Sequence, residues 1–266
     1  MYQAHWQLTE KPFENTPDPR FLYYSPKHEE ALARLNYAIS ERKGAALLTG
    51  EFGSGKTVLS RALEGLLDNT KYKMVFITNS QLPAFDFLVG IAKQLGAQQI
   101  PERKIDLLDL INDMLRRNVN IGKDTIVVID EAQLIEDKDI FEEIRLLLNF
   151  QLNDRFLMTL VLLGQPELRE RVNAIPQLRQ RMGVRYHLDA LSEEETKQYV
   201  LHRLKVAGRE ASLFKPEAVH LVYEQSKGLP REINNLCDMS LFLGFAKKLS
   251  TIDEAIVREV VKDYEG

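Results

Sequence analysis

Residues Gly50-Glu51-Phe52-Gly53-Ser54-Gly55-Lys56-Thr57 fit the pattern G-x-x-x-x-G-K-[ST]. No other stretch restricts the fold as strongly, because this pattern works only between a buried strand and the start of a helix. Both neighbours are present. Residues 45–49 form an apolar run of strand length, and residues 58–67, from Val58 onward, have helical spacing. In that context the glycines let the backbone close around an anion, and successive N–H groups point inward. The helix N-terminus adds its positive dipole end. Lys56 is expected to reach the β- and γ-phosphates of a nucleotide and the Thr57 hydroxyl to ligate Mg²⁺, with Val58 completing the binding stretch 50–58.

The surrounding chain alternates strands and helices. Apolar runs at 45–49, 74–78, 125–129, 157–163 and 184–188 read as five strands. Helical patterns lie at 27–42, 58–67, 84–95, 105–118 and 140–152. Continuous apolar strands separated by helices imply a parallel sheet covered on both faces, with ligands at the carboxyl ends of the strands. Beyond about residue 190 the strand signal stops. Ser192 and Glu195 form a capping box ahead of helical patterns at 193–206, 216–225, 231–246 and 251–264. The expected division is therefore an α/β nucleotide-binding part at 28–189 and an all-α lid at 190–266. Residues 1–27 are irregular, broken by Pro12, Pro17, Pro19 and Pro26, yet carry Phe13, Phe21, Leu22, Tyr23 and Tyr24. They are too apolar for a free tail and are expected to pack on the nucleotide-hydrolysing (ATPase) core.

A phosphate loop needs a metal partner and a means of activating water. The strand at 125–129 ends in two acids. Asp130 fits the carboxylate that holds Mg²⁺, and Glu131 fits the general base that polarises the attacking water. Gln165 ends another apolar strand, where it would reach the γ-phosphate or the lytic water. Arg231 follows Pro230 in a first helical turn and could couple phosphate state to lid position. Arg185 and then Arg181 are the candidates for an arginine supplied to a neighbouring subunit's site.

Bulk composition excludes little but does so cleanly. The 266 residues are 44% hydrophobic and 28% charged, with a net charge of −4, so there is no global basic footprint for nucleic acid. The first residues lack a signal-peptide pattern, and no apolar run approaches a membrane span. A single cysteine, Cys237, fits a reducing cytoplasm and reads as a small buried residue.

Taken together, these residues resemble an AAA+ ATPase: a Walker A loop at 50–57, a Walker B strand with its acid pair at 125–131, a sensor-1 residue in Gln165, an arginine-finger region at 181–185 and a sensor-2 arginine in Arg231. Within that superfamily the chain is similar to the ExeA/GspA group of general secretion and pilus-biogenesis ATPases. Pro12-Phe13, Pro17-Asp18-Pro19-Arg20-Phe21, Asp130-Glu131-Ala132-Gln133, Gly164-Gln165-Pro166-Glu167-Leu168 and the run from Gly228 to Cys237 carry that likeness. The resemblance implies a P-loop fold with a five-stranded parallel sheet sandwiched by helices and a C-terminal helical lid. It implies Mg²⁺-dependent ATP hydrolysis across a subunit interface, with ATP bound between the two subdomains and its adenine near residues 21–28.

Several expectations about partners follow from the same likeness. The chain should self-associate as a ring, with a hexamer as one form, or as a filament. It should serve an envelope secretion or pilus assembly protein from the cytoplasm, reaching the inner membrane only through that partner. Secretion ATPases of this group typically continue into a membrane span and a peptidoglycan-binding region. Neither occurs up to Gly266, so a pilus-biogenesis or exopolysaccharide-locus ATPase is the expected analogue. The alternative is a DNA-binding AAA+ regulator of transposition type, for which Arg116, Arg117, Arg169, Arg171, Arg179 and Arg181 would supply a basic stripe toward duplex DNA.

Overall fold

A computed structural model describes residues 1–78, 81–135 and 138–265. Gly266, the last residue of the expected lid, lies outside them. In chain order the elements begin with α1 (Gln3–Trp6), α2 (Pro26–Ser40), β1 (Ala45–Gly50), α3 (Lys56–Leu66) and β2 (Tyr72–Ile77). They continue through α4 (Ala84–Leu95), α5 (Lys104–Asn120), β3 (Asp124–Ile129), α6 (Lys138–Leu147), β4 (Met158–Gly164), α7 (Pro166–Asn173), α8 (Pro176–Arg181) and β5 (Met182–Leu188). Four helices close the chain: α9 (Glu193–Val206), α10 (Pro216–Ser226), α11 (Pro230–Ala246) and α12 (Glu254–Glu265). Two compact units result. One comprises Glu30–Gly50 and Ser60–Leu188; the other comprises Met1–Glu29, Glu51–Leu59 and Asp189–Gly266.

The first unit is built on a five-stranded parallel sheet in the order β2-β3-β4-β1-β5. β1 and β4 are buried at every position, as is β3 after its first residue. Such strands suit a sheet covered on both faces. β5, an edge strand, instead alternates buried and exposed residues over its first half. The core gathers Val127, Ile129, Leu160 and Leu162 with Ile91, Ile111 and Ile144 from the helices. The chain leaves β1 for β2, three positions away, steps back through β3 and β4, and then passes β1 to reach β5. This makes a crevice at the carboxyl edge of the sheet. Register aligns Thr49 with Gly164, and Leu162 with Ile129. Gly50, the Asp130–Glu131 pair and Gln165 therefore leave the sheet at the same edge.

The second unit buries one face of each of α9 to α12, with Leu204, Val222, Ile233, Leu241 and Val257 at its centre. Ser192 caps α9 as expected: its hydroxyl accepts from the Glu195 N–H at 3.3 Å, and the Glu195 carboxylate accepts from the Ser192 N–H at 2.7 Å. The N-terminal segment differs from expectation. Trp6, Phe13 and Phe21 belong to this helical core rather than to the core of the α/β unit. The Trp6 indole donates to the Leu241 carbonyl at 2.9 Å. The buried Arg203 guanidinium donates to the Pro12 carbonyl and to the Glu14 carbonyl, the latter at 2.7 Å, and stacks on Phe21. The aromatic segment thus adds its side chains to the core that the four helices build.

Candidate nucleotide site

From Glu51 onward the phosphate loop and the first residues of α3 belong to the helical unit. Gly53 and Gly55 adopt φ of +80° and +100°, conformations that side chains resist. A Cβ on Gly53 would lie 2.7 Å from the Arg231 Cβ, and one on Gly55 3.2 Å from the His28 Nε2. The loop is closed by a turn from the Ser54 N–H to the Glu51 carbonyl (3.1 Å), and α3 starts directly at Lys56. Lys56 is 5% exposed; its ammonium donates to the Glu51 carbonyl at 2.9 Å and lies 3.5 Å from the Ser54 hydroxyl. The ammonium thus curls over the loop, where a phosphate would draw it away. Positive-φ glycines, inward lysine and helix N-terminus fit a nucleotide phosphate, with Thr57 one residue further on for a metal.

Two residues brace this loop. The Arg231 N–H donates to the Gly53 carbonyl at 3.3 Å, and its guanidinium stacks 4.2 Å from the centre of the exposed Phe52 ring. Sequence reasoning had put Arg231 near the phosphates; the structure adds its contact with the loop backbone. His28 is buried, with its Nδ1 2.7 Å from the Ser25 hydroxyl and a hydrogen bond to the Ser54 backbone. Burial pushes its pKa below the usual histidine value, so the ring is neutral near pH 7. The sequence pointed to His28 only as the end of a stretch implied to line the adenine, and gave no sign of its hold on the loop.

The acids lie in the α/β unit. The Asp130 N–H extends the sheet to the Ile77 carbonyl at 3.0 Å, and its carboxylate accepts from the Glu131 N–H at 2.9 Å. Glu131 has φ +50°, an uncommon left-handed conformation for a residue with a side chain. Its carboxylate accepts from the Gln133 amide at 2.5 Å, and the Gln133 carbonyl oxygen accepts from the Gln165 N–H at 3.0 Å. Gln165 stands at the N-cap of α7, ahead of Pro166. Asp130, Glu131, Gln133 and Gln165 therefore form one bonded group. Gln133 was quoted in the sequence only as part of a family stretch, because two residues' spacing does not reveal which way an amide turns.

The arginines separate. The Arg181 guanidinium donates to the Leu148 carbonyl and to the Asn149 side chain, both at 2.6 Å, and so is tied to its own chain. Arg185 lies on the edge strand and is exposed, donating to the Arg179 carbonyl. Among the described residues no cluster of three or more His, Cys, Asp or Glu is arranged to hold a metal, and no helix is long and apolar enough to cross a membrane.

Comparison with known proteins agrees with this geometry. A profile described as "AAA domain" matches residues 39–172, which span the phosphate loop, the acid pair and Gln165. General secretion pathway protein A of Aeromonas hydrophila is 40% identical over 250 residues, covering 93% of this chain and 45% of that protein. The chain thus spans about half the length of this relative. Among solved structures, the Aeropyrum pernix ORC2 protein in its ADPNP–ADP complexes superposes with a TM-score of 0.70 at 18% identity, over 97% of this chain and 72% of that one. The Thermotoga maritima RuvB Holliday junction branch migration motor gives 0.60 at 19% identity, over 90% and 69%. At such identities these two share the fold alone. Sheet order, site residues and profile converge: the chain belongs to the AAA domain family, in the branch that resembles general secretion pathway protein A.

Proposed function

We propose that this protein binds ATP with Mg²⁺, hydrolyses it at interfaces between copies of itself, and uses the cycle to drive or regulate a bacterial secretion, pilus or export machine. The observation that supports hydrolysis best is the shared sheet edge from which Gly50, Asp130–Glu131 and Gln165 depart, with Glu131 already held in a bonded group. Lys56 and the loop N–H groups would hold the β- and γ-phosphates. Thr57 and Asp130 would hold Mg²⁺, which supplies charge neutralisation on the phosphates. Glu131 then removes a proton from water as it attacks, and Gln165 orients that water or the γ-phosphate. Arg231, packed on the loop at Gly53, would respond to the phosphate state. Arg185, exposed and bonded among the described residues only to the Arg179 carbonyl, is the better candidate for delivery to a neighbouring copy; Arg181 is half-buried and bonded to both Leu148 and Asn149.

The likeness to general secretion pathway protein A over nearly the whole chain supports the envelope role, exercised from the cytoplasm and at the inner membrane through a partner. The test is ATP turnover against protein concentration, with and without duplex DNA, using Glu131→Gln as the blank. Specific activity that rises with concentration and ignores DNA supports the proposal. Specific activity independent of concentration would remove the shared interface. Strong stimulation by DNA would replace the envelope role by a DNA-dependent one.

A further inference from the structure

We propose that Gln133 is a positioning residue that sets the Glu131 carboxylate and links it to the backbone of Gln165. The inference rests on the reading of Glu131 as the base. Gln133 is 7% exposed, and both ends of its amide are used in opposite senses. Its NH₂ donates to the Glu131 carboxylate at 2.5 Å, and its oxygen accepts from the Gln165 N–H at 3.0 Å. Only glutamine meets both demands at this length. Glutamate would keep the acceptor but set a negative charge against Glu131, and methionine would fill the volume with neither function. The end of β4 is shaped for this contact: a Cβ on Gly164 would lie 2.7 Å from the Gln133 oxygen and 2.7 Å from Leu168 Cδ2. Glu131 itself leaves β3 in a left-handed conformation, so its direction is imposed locally and the amide completes it. A shift of the Gln165 backbone, at the start of α7, would be passed by the amide to the base.

The test compares Gln133→Met and Gln133→Glu with Glu131→Gln, reading kcat, KM, affinity for a fluorescent ADP analogue and thermal melting. Gln133→Met preserves buried volume and should lower kcat about 10- to 100-fold with nucleotide affinity unchanged, the range expected when a catalytic group is displaced by ~1 Å. Gln133→Glu should be slower still. A Gln133→Met enzyme with kcat within twofold of the parent overturns the inference. So does parallel loss of melting temperature, affinity and kcat, which would mark a packing role. If Glu131→Gln itself retains turnover, the base assignment falls and the inference falls with it.

Discussion

Lys56 and Glu131 carry opposite expectations that separate binding from chemistry. The Lys56 ammonium is buried at the loop and is released from the Glu51 carbonyl only by a better acceptor. Lys56→Ala should therefore lose nucleotide affinity by at least tenfold, in line with removal of a charge-assisted contact of about 1.5–3 kcal/mol. Glu131→Gln keeps the size of the side chain and one acceptor oxygen but loses the charge and the basicity, and should bind nucleotide while failing to turn it over. Equal loss of affinity in both, measured by titration of a fluorescent nucleotide, would reverse these roles. His28 adds a pH dependence. Its pKa is lowered in the fold, first by burial, while the Ser54 backbone and the Glu195 carboxylate push upward and Lys27 downward. The unfolded chain thus takes up this proton at a higher pH than the folded one, so stability should fall as pH drops through ~6.5. His202 is lowered in the same sense, and the exposed His220, raised by Glu193, opposes them. Melting temperatures from pH 7.5 to 5 should decline less steeply in His28→Gln than in the parent; identical slopes would show that His28 is not the titrating group.

At the scale of elements, the N-terminal segment makes the sharpest prediction. Trp6 is 2% exposed, donates to the Leu241 carbonyl and lies against Gly244, where a Cβ would come within 3.0 Å of its ring. Trp6→Ala should destabilise the helical unit by about 3–5 kcal/mol, as large-to-small core changes do. A melting transition unchanged by this substitution would mean the segment is only laid on the surface. The sequence showed that residues 1–27 had to be buried, since aromatic residues are too costly to leave in water. It could not show against which unit, because irregular chain has no periodic face to match. Elements with a strong period were legible to the residue: α4 and α9 have the limits their patterns gave. The short α7 and α8 were not, since each begins at a proline, runs through mostly polar residues and buries only one or two side chains. The helical placement of Arg181, the second candidate for a neighbour's site, was therefore not legible. It is the last residue of α8, and its guanidinium bonds to the turn that follows α6. The Walker-type residues were legible because their chemistry fixes both residue type and spacing. The Gln133 amide was not, because its role depends on how two strand ends align.

For the whole molecule the decisive question is whether one copy can complete a site alone. The net charge of −4 gives no general attraction for nucleic acid, so an arginine that completes the site is sought on another copy of the chain. If Arg185 acts in a neighbour's site, the interface is heterologous, and each site combines Glu131 of one copy with Arg185 of the next. Arg185→Ala and Glu131→Gln should each be inactive as pure proteins. Mixed in equal amounts, some neighbours pair an Arg185→Ala copy, whose Glu131 is intact, with a Glu131→Gln copy, whose Arg185 is intact. By random pairing around such an interface, roughly a quarter of sites are complete, and turnover should recover toward that fraction. Two copies of a self-sufficient site could not complement each other, so a mixture as inactive as its components would place both residues in the same chain's site. The same mixture made with Arg181→Ala should keep roughly half of the parent activity, since every copy retains Arg185 and half retain Glu131, and the Arg181 guanidinium is engaged by Leu148 and Asn149 of its own chain.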